Sequence, residues 1–135
     1  MPIRLTPERM QEIEYLVPVA YNDLDALGGV FDAVEDHLEE HEWGRFIRAI
    51  QYIPNDVRHY YIESTFPALK KSGMLKTRRS WENWFSRTGR FLCGLPEDER
   101  REGYARAVLP TLFTRGDIRT KRHWERFLKR HEKIL

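Results

Sequence analysis

The sequence predicts an all-α protein of six or seven helices joined into helical hairpins. Three observations predict it. Apolar residues recur at helical spacing along most of the chain, and no segment alternates apolar and polar at the period of a strand. Capping and breaking residues sit at the ends of these stripes. One stretch is also written twice: GMLKTRRSWENWF from Gly73 is answered by GDIRTKRHWERFL from Gly116.

Taken in order, Thr6-Pro7-Glu8 is a helix start, with Thr6 as the N-cap, Pro7 at the first helical position and Glu8 in the first turn. Met10, Ile13, Val17, Ala20, Tyr21 and Leu24 follow on one face. Pro18 implies a kink or two shorter helices, and Gly28-Gly29 reads as a break. Val30, Phe31, Val34, Leu38 and His41 make the next stripe, backed by Asp32, Glu35, Asp36, Glu39 and Glu40. Trp43, Phe46, Ile47 and Ile50 make a third, ending at Ile53-Pro54; Gly44 is the weak point of residues 30–53. Pro54-Asn55-Asp56 restarts the chain with Asn55 as a cap, and Val57, Tyr60, Tyr61 and Ser64 lead to Phe66-Pro67 and a turn closing at Gly73. Thr77 caps a helix whose inner face is Trp81, Trp84, Phe85, Thr88 and Leu92, with Gly94 as its terminating glycine. Pro96-Glu97-Asp98-Glu99 opens another, with Tyr104, Ala105, Val108 and Leu109 inward. Pro110 interrupts that helix and Gly116 ends it. The last helix starts at Asp117 or Thr120 and turns Trp124, Phe127, Leu128 and Leu135 inward.

The doubled stretch extends over residues 67–85 and 110–128, an offset of 43. Pro67/Pro110, Leu69/Leu112, Gly73/Gly116, Thr77/Thr120, Arg79/Arg122, Trp81/Trp124 and Glu82/Glu125 are identical. Upstream, with one residue of slip, Ile53-Pro54 to Arg58 matches Leu95-Pro96 to Arg100, and Trp43-Gly-Arg-Phe-Ile-Arg48 is a weaker echo. Each matched residue has a local role. The proline starts or kinks a turn, the glycine supplies positive φ, the threonine caps, and the aromatics build one helical face. The unit is a helix, a turn and a second helix, repeated at 54–93 and 96–135. Such a period predicts either a HEAT-like pseudo-repeat of about 43 residues or a compact helical bundle.

At 135 residues the chain reads as one all-α domain, 1–135. No run of about 18 apolar residues exists, so no membrane span is expected, and the N-terminus shows no apolar leader. A lone cysteine, Cys93, forbids an internal disulfide and a cysteine-based zinc site; a cytoplasmic location is the expectation that fits. The net charge of +2 conceals a division. Residues 1–68 carry 13 acidic and 5 basic side chains; residues 69–135 carry 8 acidic and 18 basic.

That division points to an anionic partner for the basic half. In the last helix Arg119, Arg122, Arg126, Lys129, Arg130 and Lys133 fall within an arc of about 100°, opposite the Trp124/Phe127 side. Arg78-Arg79 and Lys121-Arg122 place cations at helix starts, against the helix dipole. Arg78, Arg79, Arg115, Arg119, Arg122, Arg126, Lys129, Arg130 and Lys133 form the candidate anion-binding set, and arginine suits bidentate phosphate contacts. The expected function is non-enzymatic binding of a nucleic-acid phosphate backbone. The alternative is an adaptor or inhibitor docking on an oppositely charged protein surface, and the apolar Ile134-Leu135 ending is a candidate homodimer contact. A third reading takes His37-Leu-Glu-Glu-His41 as the HxxEH signature of a metal-dependent hydrolase, with His37, Glu40 and His41 on one helix; a core or rim histidine explains His41 as well. His59, His123, Cys93 and the serines 64, 72, 80 and 86 lie in no catalytic pattern, and nothing suggests a cofactor.

Overall fold

A computed structural model describes residues 1–19 and 24–134, without the side chains of residues 24, 133 and 134. Ala20, Tyr21, Leu135 and the Leu24 side chain, all expected on inner faces, lie outside the described residues. What is described is all-α, and its capping chemistry begins as the sequence implies. The Thr6 hydroxyl accepts from the Arg9 amide and starts α1 (Pro7–Leu16), which Pro18 follows. α2 (Leu24–His37) runs straight through Gly28 and Gly29, against the expected break. Gly29 serves packing, since a Cβ there would collide with the Glu63 carboxylate, while Gly28 faces open space. Burial of Val30, Ala33 and Val34 outweighs the roughly 1 kcal/mol that each glycine costs a helix.

The break in residues 30–53 falls after His37, not at Gly44. There the chain's beginning takes the backbone groups that would extend α2: Ile3 N–H donates to Leu38 O, and Glu40 N–H to Met1 O. A 3-10 turn, Glu40–Glu42, is closed by the Glu42 carboxylate accepting from the Glu39 amide. His41 consequently points to solvent instead of joining the apolar stripe. α3 (Trp43–Ala49) follows and tightens into a 3-10 turn, Ile50–Tyr52. A further 3-10 turn, Asn55–Val57, begins at Asn55, which is therefore not a cap.

Neither Pro67 nor Pro110 breaks its helix. Each follows a π-turn within a continuous rod: α4 (Arg58–Tyr60), the π-turn Tyr61–Thr65 and α5 (Phe66–Lys71); then α7 (Glu99–Gly103), the π-turn Tyr104–Val108 and α8 (Leu109–Arg115). A proline lacks the N–H that an α-turn needs and clashes with the carbonyl four residues back. The π-turn absorbs both defects, because Phe66 N–H reaches Tyr61 O and Leu109 N–H reaches Tyr104 O, one residue further than in an α-helix. The wider turn also rotates Val108 outward, where the helical period had placed it inside.

The second π-turn frees the Ala105 carbonyl from Leu109, and the Thr65 hydroxyl of the first π-turn donates to it at 2.7 Å in the core. Thr65→Val keeps the shape and orphans that carbonyl. The expected loss is about 2 kcal/mol in urea unfolding; no loss would mean the bond is incidental.

Between and after the rods lie α6 (Arg78–Cys93) and α9 (Lys121–Ile134). Gly73 and Gly116 end the two rods at φ 76° and 80°, the positive-φ glycines among the described residues. Gly94, expected to do the same for α6, ends it at φ −77° instead. Counting each rod once gives seven helices among the described residues.

The helices form two layers. In one, α2 lies beside the first rod and the first rod beside the second. Like pieces touch like pieces, α5 against α8 and π-turn against π-turn, so the rods run in the same direction. In the other, α3 lies beside α6 and α6 beside α9. Phe66 sits between the layers with its ring against those of His37, Phe46, Trp81 and Phe85. Trp84 does the same further along, against Phe113 and Trp124. The result is three stacked hairpins closed into a bundle, and the second layer is the one that carries the cations.

Candidate nucleic-acid interface

The inner faces of α3, α6 and α9 are set by their aromatics, and this decides where the charges go. In α6 a capping box fixes the start: Ser80 N–H donates to the Thr77 hydroxyl at 3.1 Å, and Thr77 N–H to the Ser80 hydroxyl at 2.9 Å. Trp81, Trp84, Phe85, Thr88 and Leu92 are then buried, which leaves Arg79 and Arg90 facing out, with Arg78 and Arg87 on the two flanks. Arg87 is laid over the Trp84 ring, 4.9 Å from its centre. In α9, Trp124 is buried and Arg122 and Lys129 face out.

The nine anticipated residues do not form one row. Arg78 lies in the groove between α3 and α6. Arg79, Arg122 and Lys129 are on the open outer face. Arg126 and Arg130 turn to the far flank of α9, beside Asp117 and His123. Arg119 precedes α9, its amide donating to His123 Nδ1. Arg115 stands apart at the end of α8, 3.7 Å from the Asp117 carboxylate. The Lys133 side chain is outside the described residues.

Arg45 and Arg48 join this face from α3, inside the acidic half, and Arg87 and Arg90 join it from α6; none of the four belonged to the anticipated set. A signal for them existed. The pairs share the spacing Arg-x-x-Arg and an offset of 42, the same slip that relates Ile53-Pro54 to Leu95-Pro96. Charge is therefore divided by layer as well as by half.

Among the described residues, Arg45, Arg48, Arg78, Arg79, Arg87, Arg90, Arg119, Arg122, Arg126, Lys129 and Arg130 take part in no ion pair. Lys121 has only Glu125, at 4.0 Å. Among the described residues, the two ion pairs that join the acidic half to the basic half use other cations. Lys70 Nζ lies 2.7 Å from the buried Glu42 carboxylate, and Arg101 Nη1 lies 3.0 Å from Asp56. Arg101 is itself buried and also donates to the Cys93 and Leu95 carbonyls. Acidic side chains thus tie the fold together without neutralising the outer face.

The HxxEH stretch does not assemble. His37 ends α2 with Nδ1 3.0 Å from Ala33 O, and His41 is exposed in the following 3-10 turn. Arg9 clasps Glu40 through two bonds of 2.6 and 3.0 Å. That guanidinium, helped by the Arg4 amide, holds the Glu40 carboxyl below the usual carboxylate range. Among the described residues no group of three or more His, Cys, Asp or Glu is placed to hold a metal ion. No helix among them is long and apolar enough to cross a membrane.

No protein-family model, curated protein or solved structure matches the chain. Function must be read from the charge and shape of this face.

Proposed function

We propose that the outer face of α3, α6 and α9 binds the phosphate backbone of a nucleic acid, and that the protein works by binding, without chemistry of its own. One observation carries the reading: the arginines of this face have no carboxylate partner among the described residues, in a chain with 21 acidic side chains. Concentrating like charges on one layer costs self-repulsion, which an anion relieves. Arginine matches two phosphate oxygens at once. Meanwhile Asp25, Asp32, Glu35 and Asp36 line the exposed side of α2, in the other layer. They would repel a polyanion there and turn the basic face toward it.

An acidic protein surface would meet the same cations, and competition separates the two. Fluorescence anisotropy with a labelled 20-nucleotide strand is expected to show binding that weakens about 300-fold between 50 and 200 mM salt, as for about six phosphate contacts on a single strand. Unlabelled strands should displace the label, and an acidic peptide of equal charge should not. Salt-independent binding, or displacement by the peptide alone, would overturn the reading.

A further inference from the structure

The outer layer has two grooves, and they are copies. The first, between α3 and α6, has Arg45 and Arg48 on one wall and Arg78, Trp81 and Glu82 on the other. The second, between α6 and α9, has Arg87 and Arg90 on one wall and Lys121, Trp124 and Glu125 on the other. The right-hand walls match at an offset of 43 and the left-hand walls at 42. The backbone agrees with the second register: Ile53 N–H donates to Ile50 O, and Leu95 N–H to Leu92 O.

They differ in one respect. The first groove is filled by a residue of the chain. Tyr52 covers it, and the phenol donates to the Glu82 carboxylate at 3.1 Å. Gly89 lets α6 come this close, since a Cβ there would lie 2.2 Å from the Tyr52 carbonyl oxygen. About 20 Å³ remains free. In the second groove the residue matching Tyr52 is Gly94, and the one matching Gly89 is Glu132. Trp84, Phe91 and Trp124 hold α6 and α9 apart. This groove stands open, at about 420 Å³, with Phe91, Trp124 and Leu128 as its apolar lining. That is the size and character of a small-ligand site.

We infer that the open groove takes one unpaired nucleotide of a single strand. Its phosphate meets Arg87, Arg90 and Lys121, its ring lies against the apolar lining, and an exocyclic amino group donates to Glu125. Tyr52 shows the same arrangement from within the chain: an aromatic ring in the groove with a donor on the carboxylate. A base locked in a duplex cannot enter. The inference rests on the proposed function and names its substrate class as single-stranded nucleic acid with amino-bearing bases. A free nucleotide offers the same chemistry.

Cytosine and thymine are nearly the same size, and only cytosine offers an amino group, so oligo(dC) and oligo(dT) of 12 nucleotides are the decisive pair. CMP and a 12-base-pair duplex complete the set. Binding is measured by anisotropy or, for CMP, calorimetry. Oligo(dC) is expected to bind about tenfold tighter than oligo(dT), and both tighter than the duplex. Glu125→Gln should erase the dC preference. Gly94→Tyr puts a ring where Tyr52 sits in the other groove without changing charge. Position 94 has right-handed φ and only ordinary contacts around a Cβ. This variant should lower strand affinity to the level of the duplex. Circular dichroism confirms folding, and Glu125→Gln, an exposed substitution, keeps the test valid if Gly94→Tyr does not fold. Equal binding of both strands and the duplex, unchanged by either variant, would overturn this inference and leave the phosphate reading standing. No binding of any polynucleotide or of CMP would remove both. CMP binding that Gly94→Tyr abolishes, with no strand binding, would support the groove as a nucleotide site and overturn the polynucleotide reading.

Discussion

Replacing Arg45 and Arg48 by alanine is expected to weaken oligonucleotide binding roughly tenfold and to lower the salt slope by about 1.5 units. Each lost phosphate contact removes about 0.7–0.9 of slope. The control is Arg100→Ala with Arg106→Ala. It removes the same two charges from the basic half, but from the other layer. There Arg100 lies 3.2 Å from Asp98 and Arg106 lies 3.3 Å from Glu102. That variant should bind as the parent does. The contrast is informative because net charge falls equally in both. Equal losses would mean that the oligonucleotide senses total charge only, and the outer layer would lose its claim to be the site. Adding Arg87→Ala and Arg90→Ala to the first variant should roughly double its change in slope. Those two pairs are equivalent places in the repeat, on neighbouring helices of one surface.

The expectation for Arg45 and Arg48 also marks where sequence reasoning reached its limit. Amphipathic spacing and caps were enough for the all-α class, because each depends on residues at most four apart, and the doubled stretch writes the same local signals twice. The same local logic located Thr6 and Thr77 as caps and Gly73 and Gly116 as positive-φ stops. It failed wherever a distant segment decides the outcome. Gly28-Gly29 looks like a break until Glu63 is seen against it. Leu38 looks like the middle of a stripe until the Ile3 amide takes its carbonyl. Pro67 and Pro110 look like breaks because a π-turn has no propensity signal. It is held here by tertiary contacts such as Thr65 to Ala105. Charge shows the same limit. Dividing the chain into halves assigned Arg45 and Arg48 to an acidic region, whereas stacking sets them beside Arg78 of the next hairpin. The Arg-x-x-Arg spacing shared by residues 45–48 and 87–90 was the trace of that stacking.

Phe66→Ala is the substitution expected to cost most stability, about 4 kcal/mol in denaturant unfolding, or roughly 10–20 °C in melting temperature for a domain of this size. Phe66 has no exposed surface. Its ring touches the first hairpin through His37 and Phe46, and its own hairpin through Trp81 and Phe85. Truncation would leave a cavity that cannot collapse readily. The π-turn and Pro67 on either side fix the backbone, and the surrounding rings pack against one another. Phe127→Ala makes the comparison. That ring also meets three others, Phe91, Trp124 and His131, but it is half-buried at the edge of the last hairpin. Its cost should stay near 1–2 kcal/mol, since part of the lost surface is already wet. If the hairpins fold as one body, both variants keep a single transition and the parent's denaturant dependence. A repeat whose units were only loosely coupled would instead show Phe66→Ala melting in two steps, the first hairpin before the rest. The distinction bears on binding, because a face built from three helices stays in register only while the hairpins beneath it move together.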